Sequence, residues 1–215
     1  MKKILLILLV TVLLSVVGSV SFAEPRFKVS ASEVMDRVSK GQIDPTVSLS
    51  VAAHIPGFQV IPVGATTMLL GETPLEDGGY RRTYSTSGVV RILAGPLTET
   101  QTDTSYTVSN VISIYWDETY IGGQAKVKLW YTESTWSRLD STWNWRDAEM
   151  IACSMWVERS QQTIGVPYPG TTYELLANHS WYSEVPATTF EATNNITMYR
   201  QLQDFIFTAY LKKTF

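Results

Sequence analysis

The sequence predicts an all-β protein, an antiparallel β-sandwich or sandwich-like barrel with one short N-terminal helix behind a signal peptide. Three observations carry this. Short runs alternating apolar and polar residues follow one another from Thr46 to the end. Gly and Pro clusters punctuate them, and a helical pattern occurs only near the start.

Residues 1–23 read as the signal peptide. Lys2 and Lys3 give the positive start, Ile4 to Val17 the apolar run, and Ser21-Phe22-Ala23 a small-x-small cleavage site of bacterial type. Cleavage after Ala23 would leave residues 24–215 as one β-rich domain, secreted or periplasmic. The apolar run is shorter than the ~20 residues of a spanning helix, so no stable membrane insertion is expected after cleavage. Losing Lys2 and Lys3 leaves 15 basic against 20 acidic residues, a net charge of −5. An acidic chain without a basic cluster argues against a nucleic-acid partner. Cys153 is the single cysteine, so no internal disulfide forms and stability must come from packing.

After the leader, Ser30-Ala-Ser-Glu33 has capping-box spacing, and Val34, Met35 and Val38 mark one face of a helix over about 31–40 ended by Gly41. Val47, Leu49 and Val51 alternate with serines in the first strand. Phe58–Val63 and Thr66–Leu70 follow as short runs, with turn signals at Pro56-Gly57, Pro62-Val-Gly64 and Pro74 to Gly79. Tyr80–Thr86 and Val89–Leu93 read as two strands joined around Ser87-Gly88, and residues 98–105 as an exposed loop.

Residues 110–158 hold six of the seven tryptophans. Gly122-Gly123 between two alternating runs predicts a two-residue hairpin turn, since glycine accepts the positive φ that such a turn requires. Residues whose numbers sum to 245 then face each other. Trp116 opposes Leu129, Glu118 opposes Val127, Asp117 opposes Lys128 and Tyr115 opposes Trp130. One face is mostly apolar; the other carries charges and the Tyr115–Trp130 pair.

From Arg146 to Ser160, alternation favours a strand with Ile151, Cys153, Met155 and Val157 inward. The alternative is a helix, for which Ala148, Glu149 and Met150 are suited. Residues 171–197 read as long loops around a strand at Tyr173–Leu176. Phe205, Phe207, Ala209 and Leu211 alternate inward in a terminal strand, where Lys212-Lys213 would discourage edge pairing.

The chemistry is sparse. His54 and His179 are the only histidines and lie in no metal-ligand spacing, so no metal or other cofactor is expected. No Gly-x-Ser-x-Gly occurs, and Cys153 on an apolar face lacks the cationic surroundings of a nucleophilic thiol. Glu118 and Glu133 share the apolar face in the predicted register, but about 20 Å separates them at ~3.4 Å per residue. A glycosidase pair needs roughly 5–9.5 Å.

The aromatics remain. Tyr115 and Trp130, flanked by Asp117 and Lys128, are candidate ligand contacts for a glycan or a protein. Trp143 and Trp145, placed near a loop with Trp136, are a second candidate surface. The sequence thus favours a secreted, non-enzymatic β-sandwich with a binding or structural role at the cell exterior. The alternative is an extracellular polysaccharide hydrolase using acids such as Asp140, Asp147, Glu149 and Glu158.

Overall fold

The computed structural model describes residues 27–53, 55, 58–94, 106–121 and 123–215. The stretch read as a signal peptide, His54, Pro56-Gly57, the segment 98–105 expected as a loop, and Gly122 lie outside the described residues. The described residues form an all-β sandwich of two antiparallel sheets with one short helix. The helix is α1 (Ala31–Ser39). The strands are β1 (Val47–Ala53), β2 (Phe58–Pro74), β3 (Tyr80–Ala94), β4 (Tyr106–Ile121), β5 (Gln124–Arg138) and β6 (Asn144–Ser154), then β7 (Glu158–Ile164), β8 (Thr172–Leu176), β9 (Tyr182–Ser183), β10 (Thr189–Arg200) and β11 (Gln203–Thr214). One sheet has the order β1-β11-β10-β6-β7; the other has β2-β3-β4-β5-β8, with β9 also paired to β5.

The inner faces build one core. Ile112, Ile114 and Trp116 of β4 meet Val127, Leu129 and Trp136 of β5 in a single cluster with Phe190, Ile196 and Met198 of β10 and Phe207 and Leu211 of β11. Edge-to-face aromatic pairs such as Trp136–Phe207, with ring centroids 5.3 Å apart, lie within it. A smaller cluster forms where Val34 and Val38 of α1 pack on Met68, Val89 and Val111, on the outer face of the second sheet. Ser30 caps α1 as its spacing predicts, accepting from the Glu33 amide at 3.2 Å, and Gly41 takes φ +74° just past its end. Among the described residues no helix is long and apolar enough to cross a membrane.

The predicted hairpin is present, and its register holds from Trp116–Leu129 to Ile121–Gln124. Beyond that a β-bulge changes the count, so Tyr115 opposes Tyr131, and Trp130 is the extra residue. A one-residue slip reverses every side chain beyond it. Glu133 therefore lies with Tyr115 on the outer face, and Glu118 hydrogen-bonds Tyr84 at the core.

Other expectations are corrected. Tyr80 to Ala94 is one strand, because Gly88 is a point of close sheet approach and not a turn. A Cβ there would lie 2.8 Å from Leu49 Cδ1 and 3.0 Å from Leu211 Cδ1. Pro62 to Gly64 is likewise a bulge inside β2. The strand at β6 is correct but its facing is reversed. Ala148, Met150 and Ala152 enter the core, Ile151 and Cys153 sit half-buried outside, and Met155 to Val157 form a turn. Much of the segment expected as loops is β10, a central strand. Its core residues Phe190, Ala192, Ile196 and Met198 alternate with Thr and Glu, and the many Thr and Asn residues obscure the pattern. The terminal strand β11 is not an edge either, since β1 pairs beside it.

Candidate ligand-binding site

The outer face of the five-stranded sheet is open, and two of its rungs form the floor of a groove. Cross-strand pairing sets Ser48, Lys212 and Glu191 in one rung and Ser50, Tyr210 and Thr193 in the next. Successive residues on one face lie about 7 Å apart along a strand, so the two rungs make a compact grid of hydroxyls, one phenol and one ion pair. Trp156 forms the wall. These seven residues line an open groove of about 250 Å³. Trp156 is 76 % exposed and Tyr210 44 %. Lys212 places its ammonium 5.7 Å from the Trp156 ring centre and 3.1 Å from Glu191 Oε1.

The turn that carries Trp156 is unusual for its sequence. Met155 and Trp156 take φ +51° and +61°, and the Val157 amide donates to the Ser154 carbonyl at 3.0 Å. Both central residues are left-handed, as in a type I′ turn, where Asn-Gly is the favoured pair. For bulky side chains this conformation is costly.

The tip is braced from behind. His179, buried, reaches Ser154 Oγ through Nδ1 at 2.7 Å and Ser160 Oγ through Nε2 at 3.1 Å. The Ser180 amide and hydroxyl each donate to Glu158 at 2.7 Å, and these bonds hold that carboxyl below its ordinary pKa. Burial holds the His179 imidazole below its usual pKa, with Glu158 pulling the other way and Lys128 adding to the shift. A rigid support under an exposed, strained aromatic is the arrangement a preorganised contact needs.

Compared with known proteins, the chain matches no family model, no curated protein and no solved structure.

The residues expected from sequence divide between two places. Asp117 is buried on the outer face of the second sheet. Thr83 donates to it at 2.7 Å, Arg81 Nε lies 2.5 Å away, and the Trp130 indole N–H also donates to it. The Lys128 ammonium sits 4.0 Å from the Trp130 ring centre and 6.0 Å from that of Trp181. Trp130, Asp117 and Lys128 therefore do come together, with Arg81, Thr83 and Trp181 as added neighbours.

Tyr115 does not stack on Trp130. It stacks on Tyr131 with centroids 4.3 Å apart, buried under the chain that leads into α1. Its hydroxyl donates to Glu133 at 2.6 Å and accepts from the Val29 amide at 3.1 Å, while Tyr131 donates to the Phe27 carbonyl at 2.9 Å. Burial, with the Glu133 charge, raises its phenol pKa far above normal.

Trp143 and Trp145 are core residues at 0 % and 5 % exposure, and Trp136 is buried with them. The loop their polar neighbours suggested is present between β5 and β6, but Trp143 within it and Trp136 and Trp145 on the flanking strands turn their indoles into the core.

Asp147 and Glu149, two of the acids named for hydrolysis, lie two residues apart on β6, and the others are held by separate partners. Asp140 pairs with Arg200 and accepts from Thr142, Glu149 bonds Gln161 and Asn195, and Glu158 holds Ser180. Glu133 is buried and faces Glu174 across the strands, with Lys28 reaching both. Among the described residues no group of three His, Cys, Asp or Glu could hold a metal. Burial raises the Cys153 thiol pKa, which favours its protonated form.

Sequence reasoning missed Tyr210, Lys212 and Glu191. The signal was present in β11: where Phe207, Ala209 and Leu211 face inward, Tyr210 and Lys212 must face outward.

Proposed function

We propose that the protein is a non-enzymatic binding module that works outside the cytoplasm and holds sugar rings on the open face of its five-stranded sheet. The observation that carries the reading is Trp156. A large aromatic is kept exposed in a costly backbone conformation, on a turn braced by buried hydrogen bonds, beside Tyr210 and a row of hydroxyls. Strained residues whose geometry is over-determined by their surroundings cluster at ligand contacts. Aromatic faces stack on the apolar faces of sugar rings, and Ser48, Ser50 and Thr193 supply donors and acceptors for ring hydroxyls. The leader-like start of the sequence supports an extracytoplasmic location.

Calorimetric titration with soluble tetrasaccharides (β-1,4-linked glucose, xylose and N-acetylglucosamine) tests the reading. Binding to at least one, lost in Trp156→Ala and weakened in Tyr210→Ala with the fold intact, is the expected result. No binding to any of them, or binding indifferent to both substitutions, removes the proposal.

A further inference from the structure

Resting on the sugar-binding reading above, we infer that the groove selects sugars bearing an acetamido group, through Glu191 and Lys212. The two residues are direct cross-strand partners and both line the groove, with Nζ 3.1 Å from Oε1. A carboxylate only accepts hydrogen bonds and an ammonium only donates them. A secondary amide offers one N–H donor and one carbonyl acceptor in a fixed plane. The two point in opposite directions, so binding parts the ion pair: the acetamido N–H donates to Glu191 on one side and its carbonyl accepts from Lys212 on the other. Both bonds are charge-assisted, the stronger class of hydrogen bond.

Two features favour a neutral group over a charged one. The ammonium and carboxylate cancel, and the other lining side chains at this spot, Ser48, Ser50, Thr193, Tyr210 and Trp156, are uncharged. An anionic or cationic sugar meets no net opposite charge. Opening the pair is also easy, since Lys212 and Glu191 remain 38 % and 18 % exposed and solvent screens their attraction. The Trp156 ring stands beside Lys212 and can take the acetamido methyl or the sugar's apolar face.

Neutral sugar hydroxyls can bind here too, but each hydroxyl both donates and accepts and so does not need the pair's polarity. Selection arises because only the amide engages both charges at once, whereas a hydroxyl at C2 leaves the pair closed on itself.

The test titrates the full protein with N,N′,N″,N‴-tetraacetylchitotetraose and with cellotetraose, which differ only in the substituent at C2. The expected result is acetamido binding tighter by about tenfold or more, a difference that two charge-assisted hydrogen bonds can supply. Lys212→Met and Glu191→Leu narrow the ratio between the two affinities, the acetamido sugar losing several-fold more than cellotetraose. Glu191→Gln, which keeps an acceptor, retains most of the preference. Equal affinity for the two sugars in the wild type, or a preference that survives Lys212→Met, overturns the inference while the binding reading stands. Failure of both sugars and of every other tetrasaccharide overturns both. A peptidoglycan disaccharide in a third titration separates sources of the same chemistry. Binding tighter than that of diacetylchitobiose points to cell wall, and equal or weaker binding points to chitin-type chains.

Discussion

Replacing Trp156 with glycine separates a structural role for this residue from a binding one. A large L-residue in the left-handed region costs roughly 1–2 kcal/mol, and Trp156 sits there at φ +61°. Glycine removes that cost but adds about 0.5–1 kcal/mol of backbone entropy. The side chain is 76 % exposed, so little apolar burial is lost. Its cation–π contact with Lys212, at 5.7 Å, is worth about 0.5–1 kcal/mol at an exposed site. These contributions nearly cancel. Trp156→Gly should stay within about 1 kcal/mol of wild type, a shift of no more than about 4 °C in melting temperature for a chain of this size.

Met155→Asn combined with Trp156→Gly, the favoured type I′ pair, should be more stable than wild type. For comparison, Trp143→Ala in the core should cost about 3–5 kcal/mol. Urea unfolding followed by circular dichroism reads all three. A loss above about 2 kcal/mol in Trp156→Gly would refute the reasoning, because the indole would then be holding the fold together.

Other substitutions test the frame that positions the groove. Gly88→Ala should destabilise by about 1–3 kcal/mol in denaturant unfolding, because its methyl group overpacks against Leu49 and Leu211 where the sheets meet. A neutral result would mean the sheets can part there freely. Tyr115→Phe should cost about 1–3 kcal/mol, since the buried Glu133 carboxylate loses its 2.6 Å donor and the Val29 amide loses its acceptor. Its hydrogen exchange should rise first in residues 27–39.

The His179 imidazole has its pKa lowered by burial, so the unfolded chain binds a proton more readily than the folded one. Stability should therefore be flat above about pH 6.5 and fall as pH drops through the window below it. His179→Gln should lose this part of the pH dependence, as read by urea midpoints at pH 7.5 and 5.5. The Asp44 carboxyl behaves separately. Burial opposes its ionisation, but bonds from Thr46, Thr67 and Lys213 outweigh this and bring its pKa to about 2. Its contribution is present above about pH 4 and disappears toward pH 2, which acid titration of Asp44→Asn against wild type can isolate.

How far the sequence was legible follows the range of each interaction. Capping at Ser30 and the hairpin from Trp116 to Leu129 depend on residues close in the chain, and both are as the spacing predicts. The bulge at Trp130 leaves no local mark, yet it decides the face of Glu133. Gly88 resembles a turn until Leu49 and Leu211, distant in sequence, are seen pressing on it.

Alternation at Ile151, Cys153, Met155 and Val157 is real in the letters but spans a turn, so it pointed the wrong face inward. The candidate site was hidden for the same reason. Trp156 looked like one more member of the tryptophan-rich stretch, and only the pairing of β6 with β10 and of β10 with β11 brings it beside Tyr210, Lys212 and Glu191.

The most direct measurement of the central claim is chemical-shift mapping of the ¹⁵N-labelled protein during titration with tetraacetylchitotetraose. The Trp156 indole N–H and the amides of residues 48–50, 191–193 and 210–212 should shift together and saturate at one ligand concentration. Shifts confined to Lys128, Trp130 and Trp181 on the opposite sheet, with the groove unmoved, would contradict it.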